Sequence, residues 1–257
     1  MAFGSVLFFG LFGGGSLVML SYLVRASVRA GRVIPAGWLF IGFSSLFWLE
    51  APFCHFVYAS YSPDYPKFPQ GLGPLDMVYG GLPIFTPLVY AVYFTFMPLI
   101  CKTIAKWLYE RNNWNHVRTL LASGFVFGFL IDFAVEQAFT SLNAFHYECA
   151  TPWGATFPGK FSQFPVYISL GLATMHALTT YLLGRIDDQG DFLIERWARR
   201  LTSSTATRAA LTIAASVLLL HVFYLAIIAP HVVVRSEKWA TTSVQDRFYP
   251  SRANQTP

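Results

Sequence analysis

Six stretches of this chain are each long and apolar enough to cross a bilayer as a helix, at roughly 4–25, 36–59, 83–107, 118–141, 164–184 and 208–229. Spanning takes about 20 mostly apolar residues at 1.5 Å per residue. Once backbone enters hydrocarbon it must bond to itself, and that leaves helices or closed barrels. Runs of this length point to helices. The expected fold is therefore all-α, a polytopic transmembrane bundle of about six spans forming one membrane-embedded domain over residues 1–257. Composition agrees: 54% of residues are hydrophobic and 12% charged, against about 25% charged in a soluble domain.

The first stretch lacks a basic leader and is long for a signal peptide, so it reads as a mature helix. Its Gly13-Gly14-Gly15 run weakens a helix and suggests a kink or a close-packing site. Arg25, Arg29 and Arg32 follow span one, Lys102, Lys106, Arg111 and Arg118 cluster after span three, and Arg185, Arg196, Arg199, Arg200 and Arg208 follow span five. Basic loops stay in the cytoplasm, so this bias puts both termini on the outer side. The net charge of +5 belongs to that bias. No basic patch interleaved with aromatics suggests nucleic acid. Cys54, Cys101 and Cys149 have no spacing that suggests a disulfide framework or a zinc site.

Two outer loops, 60–82 and 142–163, are long and rich in Pro, Gly and aromatics, and a tail occupies 230–257. Long loops of this kind serve as lids or binding loops, or simply cap a bundle. No repeat of 20–50 residues suggests a solenoid or an inverted-repeat transporter.

Ionisable groups inside spans are costly, and each is a functional candidate by default. Glu50, Asp132, Glu136, His176 and His221 qualify, with His55 and Gln137 nearer the outer ends. Counting residues from the span ends puts Glu50, Asp132 and His221 about 12–14 Å below the outer surface. Glu136 stands one turn above Asp132 on the same face. Tyr90 and Tyr93 fall at similar depth, and His176 lies deeper. Several helices thus bring acids, phenols and an imidazole to one layer beneath the long loops. Crowded carboxyls in low dielectric suit general acid/base chemistry. Asp132 is the expected general acid, with Glu50 and Glu136 as base or partner. Tyr90, Tyr93, His221, His55, Gln137, Phe133, Trp48 and Tyr167 are candidates to position a substrate.

Blander readings compete. Asp132 and Glu136 could be a solvated pair near an interface, and His176 a hydrogen-bonded packing residue. Asp132, Glu136 and a histidine could in principle hold iron, but the Glu-x-x-His pair of a di-iron bundle is missing. A bis-histidine haem between His176 and His221 conflicts with their depths. No metal and no cofactor is expected. No Gly-x-Ser-x-Gly elbow is present, and Cys54 and His55, adjacent on a helix, point apart.

The order of several short motifs resembles the avermectin-type spirocyclase (AveC-like) family of membrane proteins. They are Glu50-Ala51-Pro52 late in span two, Asp132-Phe133-Ala134-Val135-Glu136 in span four, and Phe164-Pro165 at the start of span five. Asp187-Asp188-Gln189-Gly190, Glu195-Arg196, Trp239 and Arg247-Phe248-Tyr249 follow. The likeness runs over roughly residues 45–250. It implies a cofactor-free membrane cyclase that closes spiroketals on polyketide intermediates, with a lipophilic small molecule and the bilayer as its partners. Departures from the family pattern at Ala51, at Cys54-His55 and around Leu82 and Ile168 suggest a different, more apolar substrate, such as a terpenoid cyclised by protonation. A proton-coupled transporter using the same acids and an accessory subunit of a biosynthetic complex are the alternatives from other classes.

Overall fold

A computed structural model of the chain describes residues 3–243. Arg247-Phe248-Tyr249 and the end of the expected tail lie outside them. The order is α1 (Phe3–Ala30), α2 (Pro35–Ser44), a 3-10 turn (Ser45–Leu49), α3 (Glu50–Val57), β1 (Ala59–Tyr61) and a second 3-10 turn (Gly73–Met77). Then come α4 (Thr86–Asn112), α5 (His116–Ser141), β2 (Phe145–Tyr147), β3 (Cys149–Ala150), β4 (Ala155–Thr156), β5 (Phe164–Pro165), α6 (Val166–Gly184), α7 (Leu193–Leu201), α8 (Thr205–Ser236) and β6 (Thr242–Ser243). Among the described residues six helical segments are long and apolar enough to cross a membrane, and they coincide with the six expected stretches to within several residues. The last runs on to Ser236, into the expected tail.

The second span is not one helix. Pro52 has no N–H to give the carbonyl of residue 48 and its ring crowds that carbonyl. The backbone answers with a 3-10 turn over Ser45–Leu49, and the Glu50 N–H bonds Phe47 O three residues back instead of four. This break sets Glu50 at the first turn of α3. Tyr58, in a left-handed conformation at φ 55°, ends α3 and turns the chain into β1.

α5 and α6 pack closely. A Cβ on Gly124 would stand 2.6 Å from Ala177 Cα, and one on Gly128 2.8 Å from His176 Cβ. Small residues four apart allow this contact where no hydrophobic effect drives helices together. α1 is peripheral: 17% of its span is buried inside the protein, against 61% for α6.

The two long loops expected on the outer side, with a piece of the expected tail, hold the main departure from an all-α reading. They pair as three short antiparallel ladders, β1 with β2, β3 with β6 and β4 with β5. Register decides what the first one does. Ala59 faces Tyr147 and Tyr61 faces Phe145, and in a strand alternate residues share a face. Those four residues therefore look down onto the bundle as a roof, while His146 points the other way and stacks on Phe161.

At the opposite end, α7 is a short amphipathic helix inside the loop between spans five and six, with Ile194, Glu195 and Ala198 buried. Arg32 bonds Asp191 and reaches Glu195 at 3.1 Å, Arg199 pairs with Asp187 at 2.7 Å, and Trp38 Nε1 donates to Glu195 at 2.8 Å. This network ties two of the expected cytoplasmic loops together.

Candidate active site

Beneath the β1–β2 roof lies a cavity of about 80 Å³, walled by α3, α4, α5, α6 and α8 and, on one side, by Phe12 of α1. Glu50 and Glu136 face it from different helices, and Tyr61, Tyr90, Tyr93, Tyr147 and Tyr224 bring five phenols to its wall.

Glu50 is enclosed by donors. Oε1 accepts from Tyr61 at 2.5 Å and from the Cys54 thiol at 3.2 Å. Oε2 accepts from Tyr90, and the Tyr224 hydroxyl divides its one proton between that oxygen, at 3.3 Å, and the Tyr90 hydroxyl. A carboxylate offers about four acceptor sites, so the protein itself fills those of Glu50. Glu136 differs: among the described residues one donor reaches its carboxylate, the Tyr147 hydroxyl at 2.9 Å. Glu136 keeps acceptor capacity toward the cavity.

Asp132, one turn below Glu136, is buried behind the wall. Its Oδ1 accepts from Tyr93 at 2.5 Å and its Oδ2 from Ser169 at 2.6 Å. Tyr93 therefore stands between Asp132 and the cavity. The roof phenols are firm donors, because burial and the carboxylates beside them raise the Tyr61 and Tyr147 hydroxyls well above the usual phenol range.

Of the expected substrate-positioning residues, Tyr90 and Tyr93 line the cavity. The others are placed elsewhere. Trp48 Nε1 donates to His221 Nε2 at 3.1 Å and the two rings stack on an exposed face. Gln137 accepts from Thr156 at 2.5 Å and donates to Ser162 O at 3.0 Å, pinning the loop between α5 and α6. Phe133 packs between Phe129 and Phe164, and Tyr167 against His231 and Trp153. The ring of His55 meets Phe56, and its carbonyl accepts from Arg235. His176 is fully buried against Tyr93 and Phe94, and among the described residues neither ring nitrogen has a hydrogen bond. It is a packing residue, but not the hydrogen-bonded one expected.

Tyr61, Tyr147, Tyr224 and Cys54 were not singled out as site residues. For Tyr224 a signal existed: a phenol inside an apolar helix needs a polar partner when buried. For Tyr61 and Tyr147 none did, since they meet only through loop pairing. Among the described residues no three His, Cys, Asp or Glu side chains group as a metal site needs.

The model of a family described as spirocyclase AveC-like matches residues 31–255, nearly the whole chain beyond α1. No curated protein and no solved structure matches it.

Proposed function

We propose, because the chain belongs to the spirocyclase AveC-like family, that it closes a ring on a lipophilic natural-product intermediate by acid/base catalysis in the outer half of a membrane, without a cofactor. Membership implies a cyclase role in natural-product biosynthesis. The observation that carries the finer reading is the pair of carboxylates, Glu50 and Glu136, facing one small cavity among five phenols.

Spiroketal closure forms one C–O bond from a substrate hydroxyl and releases a hemiketal hydroxyl as water. A base takes the proton of the attacking hydroxyl and an acid gives one to the departing oxygen. Glu136, with spare acceptor capacity, is the base in this reading. Asp132 is the acid: protonated, it passes its proton to the Tyr93 oxygen as that phenol gives its own to the departing hydroxyl, the reverse of the resting bond in which Tyr93 donates to Asp132. Glu50, its acceptor sites filled, fixes Tyr61, Tyr90 and Tyr224 around the reacting carbon.

Glu136→Gln and Asp132→Asn should each lower turnover of a hydroxy-ketone substrate by about 100-fold or more, with the folded protein retained. Unchanged turnover in both would refute the assignment. The ring faces of Phe53, Phe94, Phe139 and Phe145 in the same wall favour a second reading, a protonation-initiated terpenoid cyclase, since aromatic faces stabilise cations. Assaying a polyene beside the hydroxy-ketone separates the two.

A further inference from the structure

Two hollows in this protein share a wall. The acid cavity measures about 80 Å³, room for the reacting part of a substrate and little more. Beside it, between α1 and α4, a groove of about 920 Å³ runs along the outside of the bundle. Phe12 and Tyr93 line both. Their rings meet edge to face with centroids 6.4 Å apart, and Tyr93 is the residue whose hydroxyl holds Asp132.

The groove is apolar along nearly its whole length and reaches Lys102 and Thr103. Tyr93 and Lys102 are nine residues apart on one helix, or about 14 Å. Among the described residues Lys102 has no ion pair. A lysine near the inner end of a span lays its stem on hydrocarbon and brings its ammonium toward the interface, where it favours an anion. The α1 side of the groove is also its yielding side. α1 is the least buried span, and a Cβ at Gly13 or Gly14 would meet nothing within 4 Å, so packing does not explain these glycines. Each costs the helix about 1 kcal/mol relative to alanine, immediately beside Phe12.

We propose that this groove binds the apolar chain of the substrate, an amphiphile whose anionic end is held at Lys102 and whose other end passes between Phe12 and Tyr93 into the acid cavity. The proposal rests on the cyclase reading above and names the substrate class for it. It also gives Tyr93 a second role: its ring borders the passage that the chain takes, while its hydroxyl keeps the bond to Asp132 through which the acid acts.

The test uses the full chain in phosphatidylcholine nanodiscs, with a hexadecanoic acid carrying a diazirine at its methyl end and the methyl ester of the same probe. After illumination, the acid should label α1, α4 and the cavity wall around Glu136 more strongly than the ester does. Lys102→Gln should cut labelling by the acid about fivefold to tenfold, the loss of one charge-assisted contact, and leave the ester unchanged. Lys102→Arg should restore it. Phe12→Ala should shift labelling from the groove to the cavity wall. Equal labelling by acid and ester, no loss in Lys102→Gln, or labels spread evenly over the outward faces of α1 and α8 as a bulk lipid would leave them, would each overturn the proposal. Labelling needs no turnover, so a parent protein that labels as expected but leaves the hydroxy-ketone unchanged refutes the cyclase reading and not the groove. A failed cyclase assay and a failed groove are thereby distinguished.

Discussion

Tyr61, carried by a three-residue strand of the roof, donates its hydroxyl at 2.5 Å to Glu50, which stands at the first turn of α3. One bond thus joins the loop that closes the cavity to the helix break that presents its carboxylate. Tyr61→Phe keeps the ring and removes the donor. A hydrogen bond to a charged group contributes about 1.5–3 kcal/mol, so the variant should lose about that much stability and much of its turnover. Cys54, Cys101 and Cys149 are buried, which makes thermal unfolding readable with a thiol-reactive dye. A melting curve superposable on the parent's would mean that the roof is held by other contacts.

Gly124→Ala should be among the most damaging small substitutions in the chain. The new methyl would fall 2.6 Å from Ala177 Cα and 2.8 Å from His176 O, backbone atoms that can yield only if α5 and α6 separate. Overpacking of this kind costs about 1–3 kcal/mol. Gly13→Ala, where a Cβ meets open space, should be neutral or stabilising in the same melting assay.

How much of this was legible in the sequence depends on the range over which each feature acts. The spans were, because each is local, long and uniformly apolar. Height along the bundle was legible in part, since helical rise is fixed: Glu50, Tyr90 and Tyr93, expected at similar level, line one cavity with Glu136, expected one turn above Asp132. Which way a residue points around its helix was not. His221 lies at the right depth yet turns outward to Trp48, and Asp132 sits behind Tyr93 instead of beside Glu50. The roof could not be read at all. Tyr61 and Phe145 pair across two loops and two spans, through strands too short for alternation to register as a pattern.

Lys67 makes a prediction about pH. Its ammonium is enclosed beside the roof, over the rings of Tyr61 and Tyr65 at 5.6 and 5.5 Å, and among the described residues it has no hydrogen bond. Burial lowers it from 10.5 to about 8. Between those values the unfolded chain holds the proton more often than the folded one, so this group makes stability rise with pH from about 8 upward. Near 10 the trend should reverse, because the phenols of Tyr61 and Tyr147 are raised in the folded protein and the unfolded chain ionises first. Lys67→Met should remove the rise above about pH 8 and raise the melting temperature at pH 7. A parent whose stability is flat over that interval would contradict the burial argument.

Arg32 makes the last prediction, at the opposite end of the bundle. Its guanidinium bonds Asp191 and Glu195, both almost fully buried, and the carbonyl of Gly190. Glu195 also accepts from Trp38 Nε1 and from the Phe192 N–H that starts α7, yet burial still raises its carboxyl above the usual range. Removing the arginine leaves Glu195 with no cation among the described residues and Asp191 with Arg199 alone. Breaking a buried pair from one side costs more than the pair itself contributes. Arg32 is partly exposed, with 32% of its side chain accessible, so the expected loss for Arg32→Ala is about 2 kcal/mol rather than the full buried-pair figure. Arg32→Lys should recover only part of it, because a single ammonium cannot reproduce the fork that reaches Asp191 and Glu195 together. Arg32→Ala should also loosen α7 from the bundle, seen as faster hydrogen exchange over Leu193–Leu201. Wild-type protection of that helix in Arg32→Ala would show that α7 is held by its packing on α8 and not by the ionic network.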